Sequence, residues 1–494
     1  MPSELNRLIQ DVFLAPESRM EHISDFDAVC ENDRLDKDDE RPRPFAAADG
    51  WREASVKIQL EAHSIYHRLL LDVIKAACCG SPSKVFHWIP FKLFHHPKPR
   101  TGPSVPPPPE WLYGDAYTAD ALLAENGKIQ MKAREDREPG DGPEMEYVPV
   151  PLMFAPDSTH STNFGSASLW PIYLCLSKYM RVCPTSFSAH HLTYIPPLLP
   201  NIQSAYEAAY REPASAAMLR FCKCELMQAI WLLLLDDESV KAYIHGVFIG
   251  CGDGIVRRIF PRTLTYAADY PEKCLLTCTK FLARCPCTDC RVSKDKVYLM
   301  GSKSGMQTRA TQRQKDNEHL RHNIVTARRN IFQFGTPPGG ILGAASSTPI
   351  RSTFSTCLAQ FVFDIYYMPM LDLLQEFELG VWKATAIHLV QILFAARGRC
   401  VQEMDSHYSK VPTFGRNTNH RFGANDTDFK KLVACDYEDL LQCATPIFEG
   451  LLSPHSDAII TAACTALVAG MFRDFFRTLR ASTSLLYFEQ QYLL

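Results

Sequence analysis

Between residues 371 and 393 the apolar positions recur at helical spacing. Leu371, Leu374, Val381, Trp382, Leu389, Ile392 and Leu393 share one face of a wheel turned by about 100° per residue. Glu378 falls in the middle of that face, whereas Asp372, Glu376 and Lys383 fall on the opposite, solvent-suited side. A second helical pattern runs through REASVKIQLEAHSIYHRLLLDVIKAACC (52–79), and others through AYEAAYREPASAAMLRFCKCELMQAIWLLLL. Strand patterns are read in FHWIPFKLF (86–94), in YVPVPLMFA (147–155), whose prolines suggest an edge or a strand start, and in LWPIYLCLSKY. YIHGVFIGCGDGIVRRIFPRTLTYAADYPEKCLL predicts two or three strands around a Gly-Asp-Gly turn. Residues 26–43 are acidic without apolar periodicity, 95–111 form a proline-rich linker or surface loop, and GTPPGGILGAASS reads as a linker. No internal repeat is present.

These patterns divide the chain into 1–80 (acidic, then helical), 81–146 (strand and proline-rich region), 147–290 (first part of an α/β core), 291–345 (basic helical insertion) and 346–494 (second part of the core and C-terminal helices). Composition changes the picture little: 46% of residues are apolar, 22% are charged and the net charge is −3. No global basic field points to nucleic acid, so such a partner needs a local patch. The 18 cysteines are scattered behind an N-terminus with no leader pattern, which suggests reduced thiols in a soluble intracellular protein. The apolar run AIITAACTALVAGMF (458–472) is shorter than a membrane span and suggests a buried helix.

Three sets of side chains carry candidate chemistry. Cys274, Cys278, Cys285, Cys287 and Cys290 crowd one short stretch, and the C-x-x-C pair Cys287/Cys290 with Cys285 supplies two or three of the four ligands of a tetrahedral Zn²⁺. The fourth is left open among Cys278, Cys274 and a distant histidine. Asp157, Asp253 and Asp269 stand at predicted strand ends; with Glu378 they offer hard oxygen ligands for divalent cations, although Asp253, between two glycines, also suits a turn. Between 291 and 330, ten cationic side chains face three acidic ones. Arg309, Arg313, Lys315, Arg321, Arg328 and Arg329 are the candidates there for contact with DNA phosphates. Phosphate-cradling glycine loops and hydrolase or metalloprotease motifs are absent.

Taken together, FHWIPFKLF, DSTHSTNFGSASLWPIYL, GDGIVRRIFPRTLTYAADYPEK, CPCTDC, DLLQEFELGVWK, VPTFGRNTNHRF and DYEDLLQCATPIFEGLL resemble fungal Plavaka-type transposases of the CACTA/Mirage/Chapaev group. The resemblance runs from about residue 86 to about 455 in family order. It implies an α/β fold: an RNase H-like mixed sheet with a zinc-binding, basic helical insertion and a largely helical C-terminal part. It also implies a DDE triad, Asp157, Asp269 and Glu378, holding two Mg²⁺ or Mn²⁺ ions for DNA strand cleavage and transfer. Cys285, Cys287 and Cys290 match the family's cysteine motif, with structural Zn²⁺ as its expected role. Transposon ends and target DNA are the implied partners, a homodimer is a further candidate, no membrane is involved, and the nucleus is the implied compartment. Departures are Gln375 where the family has His, Ala155-Pro156 where an aromatic stands, and a divergent segment after FEGLL. They point to a truncated or degenerate copy, and leave open a second reading as an inactive or domesticated zinc protein that binds DNA or protein.

Overall fold

The computed structural model describes residues 45–480 except 59–60, 97–107, 113–115, 157–158, 161–167, 177–188, 195–198, 336–338, 362, 397, 414–418, 424–431 and 433. Asp157 and the acidic segment 26–43 therefore lie outside the described residues, as does most of the proline-rich stretch. In chain order the strands are β1 (Arg52–Ile58), β2 (Glu61–His67), β3 (Leu93–His95), β4 (Glu110–Leu112), β5 (Glu146–Pro156), β6 (Thr159–His160), β7 (Ser168–Leu169), β8 (Ile172–Leu176), β9 (Ala189–Tyr194), β10 (Val247–Gly250), β11 (Val256–Ala268) and β12 (Pro369–Leu371). The helices are α1 (Leu70–Cys79), α2 (Asp120–Glu135), α3 (Leu199–Tyr210), α4 (Ala216–Leu234), α5 (Asp237–His245), α6 (Tyr270–Leu276), α7 (Lys303–Thr311), α8 (Glu318–Phe334), α9 (Gly339–Leu342) and α10 (Thr353–Leu358). A π-helix (Leu373–Trp382) then runs into α11 (Lys383–Ala395), followed by α12 (Cys400–Ser409), α13 (Ala434–Phe448) and α14 (Pro454–Arg480).

One mixed eight-stranded sheet organises the first part of the chain, in the order β1-β2-β9-β8-β5-β11-β10, with β12 also on β11. β8 runs antiparallel to both of its neighbours, β5 and β9, while β11 runs parallel to β5 and β12 runs parallel to β11. Tyr266 pairs with Phe154 of β5 and with Pro369 of β12, so β12 lies on the flank of β11 away from β5. On one face of the sheet centre Val148, Val150, Leu152, Phe154, Leu174 and Ile259 are all buried, and on the other Tyr147 and Phe260 pack with Ile129 and Ala133 of α2. Trp231 of α4 packs edge-on to Phe154 at 4.8 Å between ring centroids and joins the sheet to Phe354 of α10 at the same separation.

Several sequence expectations change here. Residues 52–67 form the hairpin β1–β2, not the start of a helix; only 70–79 is helical. The polar and apolar residues of 52–58 largely alternate, and pairing with β2 together with packing on α4 favours a period of two. FHWIPFKLF is mostly irregular, with its last two residues in β3. β5 is an inner strand despite its prolines. β8 reaches it only from Leu152, so Pro149 and Pro151, two residues apart, can both turn the side lacking an N–H toward the strand-free flank. GTPPGGILGAASS is no linker: Leu342, Ser346 and Ser347 are buried, and Ser346 O accepts from Lys280 N at 2.7 Å. The Gly-Asp-Gly turn joins β10 to β11. Gly252 is required there because a Cβ would collide with the Gly80 carbonyl and the Ser83 hydroxyl.

A second apolar core lies in the C-terminal helices, where Phe377 and Trp382 of the π-helix meet Leu389, Met404, Tyr437, Leu441 and Ile460. The described side chains of the run, 458–468, are buried on one face only: Ile460 and Cys464 are enclosed and Ile459 is exposed. One segment among the described residues, Gln375–Ala395, is long and apolar enough to cross a membrane; it carries Phe377, Trp382 and Leu389 into this core.

Candidate functional site

Two parallel strands end in acids at one edge of the sheet. β11 stops at Ala268, and Asp269 then caps α6, its Oδ1 accepting from Glu272 N at 2.9 Å. β12 stops at Leu371, paired with Ala268, and Asp372 follows it; Asp372 Oδ1 accepts from Gln375 N at 3.2 Å. Asp157 follows Pro156, the last residue of β5, and is three residues beyond Phe154, as Asp269 is three beyond its pair Tyr266. Asp253 sits elsewhere, in the hairpin turn at the far end of β11. It accepts from Ile255 N at 3.1 Å and pairs with Arg257 at 2.8 Å. Roughly 40 Å of strand separates it from Asp269, so it is a turn residue.

Glu378 lies on the π-helix and is 5% exposed. Its carboxyl has no hydrogen bond or ion pair among the described residues, and burial pushes its pKa up to about 7, with the charges of Glu438 and Asp372 adding to the effect. The helix closes i→i+5 turns, so residues five apart share a face, as Phe377 and Trp382 of the second core do, and the stripe expected at 100° per residue is rotated. Val381 is therefore exposed, not buried. Glu376, expected on the solvent side, instead forms an ion pair with the buried Lys273 of α6, so the π-helix is fastened to the helix that Asp269 caps.

Sequence reasoning also passed over Glu272. Asp269-Tyr-Pro-Glu272 is a capping-box pattern, the one signal that could have drawn attention to it. The side chain accepts from Tyr266 OH at 3.0 Å and Trp170 Nε1 at 3.1 Å instead of turning back to the cap. Burial pushes its pKa up to about 8, with the charge of Asp269 contributing and both donors opposing. The helical wheel puts Asp372 on the solvent side, and only the pairing of β12 reveals its position at the sheet edge.

The cysteines are brought together in part. Cys287 and Cys290 lie within hydrogen-bonding reach, and that contact lowers the pKa of Cys290 to about 6, helped by Arg309. Cys285 turns away and donates to Arg291 O at 3.2 Å; Cys278 lies against Cys224, and Cys274 beside Tyr270. Among the described residues no three Cys, His, Asp or Glu side chains converge on a point where a metal could sit. For zinc this leaves two facing thiols, half of a tetrahedral set, and the described residues do not fit a closed structural site.

The basic tract is not one solvated stripe. Lys315 and Arg329 are exposed. Arg309 Nη1 points to Cys290 Sγ at 3.7 Å, Arg313 stacks on Tyr367 at 4.2 Å, and Arg321 pairs with Asp316 at 3.2 Å. Arg328 pairs with Glu225 and donates to Pro349 O at 2.9 Å. Four of the six candidate cations thus serve the fold, at least in part.

Comparison with known proteins adds one finding. None of the curated proteins matches the chain. A family model described as Plavaka transposase matches residues 109–391, a span that contains β5, β11, the cysteine segment, the basic tract and the π-helix. With more than half of its length matched, the chain belongs to the Plavaka transposase family.

Proposed function

We propose that the protein is a DNA transposase whose strand cleavage and transfer rest on Asp157, Asp269 and Glu378. The observation that carries this reading is the sheet edge. A meander of three antiparallel strands is followed by two parallel ones, in the order β9-β8-β5-β11-β12. That order is the one expected of an RNase H-like core and supports the reading, as do the acids that follow the C-terminal ends of the parallel strands.

The donor set suits Mg²⁺ or Mn²⁺, which take hard carboxylate oxygens. Glu378 is a buried carboxyl with no cation or donor beside it among the described residues, as expected of a group that ionises fully only when a divalent cation arrives. Asp157, Asp269 and Glu378 would hold the ions, which would supply an activated water or 3′-hydroxyl and offset charge on the phosphoryl oxygens. The protein's own part is positioning: the cap at Asp269 fixes its carboxylate, and the Lys273–Glu376 pair holds the π-helix beside it.

The test is a strand-cleavage assay with Mn²⁺ on DNA bearing the element's terminal repeats. Asp157→Asn, Asp269→Asn and Glu378→Gln should each lower cleavage by about a hundredfold or more. Variants that cut as fast as wild type would sink the catalytic reading and favour a DNA-binding relic. The exposed cations Lys315 and Arg329 and the family's DNA partner support contact with DNA in either case.

A further inference from the structure

Between Arg291 and Gln312 the chain makes an excursion that is pinned at its base. Cys290 bridges to Arg313, Arg291 N donates to Gln312 O at 2.9 Å, and Gln314 N donates to Asp289 O at 2.8 Å. Inside the excursion a 3₁₀ turn (Lys294–Leu299) is followed by α7. Every residue from 294 to 304 except Leu299 is exposed, so the segment projects from the protein. It is also held in shape. Ser302 Oγ accepts from Gly305 N at 3.1 Å and donates to Leu299 O at 2.7 Å, and a Cβ at Gly305 would collide with the Leu299 carbonyl. At the tip Val297, Tyr298 and Met300 are 42%, 80% and 59% exposed. Lys294 and Lys296 precede the tip and Lys303 follows it, and none of the three has an ion-pair partner among the described residues. Asp295, the one acid between Arg291 and Gln312, accepts from Ser293 Oγ at 2.9 Å.

We propose that this projection enters a groove of duplex DNA, with Lys294, Lys296 and Lys303 on the phosphates and Tyr298 and Met300 against the sugars and base edges. The inference rests on the reading of the protein as one that acts on DNA, and names the surface that meets it. Four of the six cations first considered for DNA contact brace the fold, whereas these three lysines brace nothing and match a polyanion. Phosphate contact alone leaves the exposed Tyr298 and Met300 without a role, and an apolar protein surface leaves the lysines without one. An apolar tip flanked by cations is the build with which proteins press a side chain into a DNA groove while holding the backbone on either side. A projection suits a groove of the duplex, since single strands are held in channels.

The experiment follows binding of a short labelled duplex of mixed sequence to the full chain by fluorescence anisotropy across a salt series. Replacing Lys294, Lys296 and Lys303 together by Gln should make the slope of log affinity against log salt shallower by about three. Tyr298→Ala should weaken binding roughly tenfold with the slope unchanged, and Tyr298→Phe should bind as wild type does, because the ring and not the hydroxyl makes the contact. Melting temperatures should not move, since all four side chains are exposed. An unchanged slope in the triple variant would overturn the inference and, with cleavage intact, leave the transposase reading standing. Wild-type affinity in Tyr298→Ala, or a single strand bound as tightly as the duplex, would overturn it too. A chain that never cleaves, yet loses duplex binding when the projection is altered, would sustain the inference and sink the catalytic reading. Absence of any DNA binding would overturn both.

Discussion

Glu378 carries its own pH signature. An ordinary glutamate titrates near 4.5; here burial raises the folded-state value to about 7. A raised acid contributes stability that is fully present below the unfolded value and is lost as pH climbs through the folded one. Wild type should therefore match Glu378→Gln at pH 4.5 and fall behind it above pH 7, by roughly 3 kcal/mol at about 1.4 kcal/mol per unit. Denaturant titrations of both proteins across that window check it, and a flat difference would show that the carboxyl is not buried as described. Millimolar Mn²⁺ at pH 8 should narrow the gap if the proposed ions bind. The residue's unusual placement was legible in the sequence, because a carboxylate in an apolar stripe is visible on a helical wheel. The neighbours that tune it were not, since Glu438 and Asp372 reach it through tertiary packing.

At the scale of elements, the junction between α6 and the π-helix depends on Lys273 and Glu376. Glu376→Gln strands a buried ammonium and should cost roughly 2–4 kcal/mol, the lower end reflecting the part of Glu376 that meets solvent. Adding Lys273→Met should return most of that loss, because the stranded charge is gone. Urea unfolding of the single and double variants measures both, and a double variant as weak as the single would remove the pair from the account. Neither the pair nor Val381's exposure could be read from a wheel of fixed pitch. The switch from i→i+4 to i→i+5 turns is decided by what the helix packs on, namely the second core around Trp382 and Tyr437. Elements with strong local signals were legible: α4, β8 and the β10–β11 hairpin stand where their patterns put them. β1 and β2 were missed because a short stretch of mixed apolar and polar residues fits either period until a neighbouring strand selects one.

For the molecule as a whole, DNA affinity should fall steeply with salt. Charge reversal of Lys315 and Arg329 should lower the slope of log affinity against log salt by about two, with melting temperature unchanged. Arg328→Ala should instead lower the melting temperature, since that guanidinium ties α8 to Glu225 of α4 and to Pro349 O. The reverse pattern would restore the tract as a uniform DNA-facing stripe. Sequence alone gave the charge excess but could not separate cations that face solvent from those that brace the insertion. The placement of Glu378 has a further consequence, in time. The first two acids of the proposed triad follow strands of the sheet in sequence, but the third leaves the ribosome about a hundred residues after Asp269, and α13 and α14, which pack on its helix, follow later still. At roughly 5–20 residues per second, a nascent chain spends many seconds with its sheet edge present and its third carboxylate undelivered. On this reading the protein is born unable to cut, and becomes competent only when its last helices close around the π-helix.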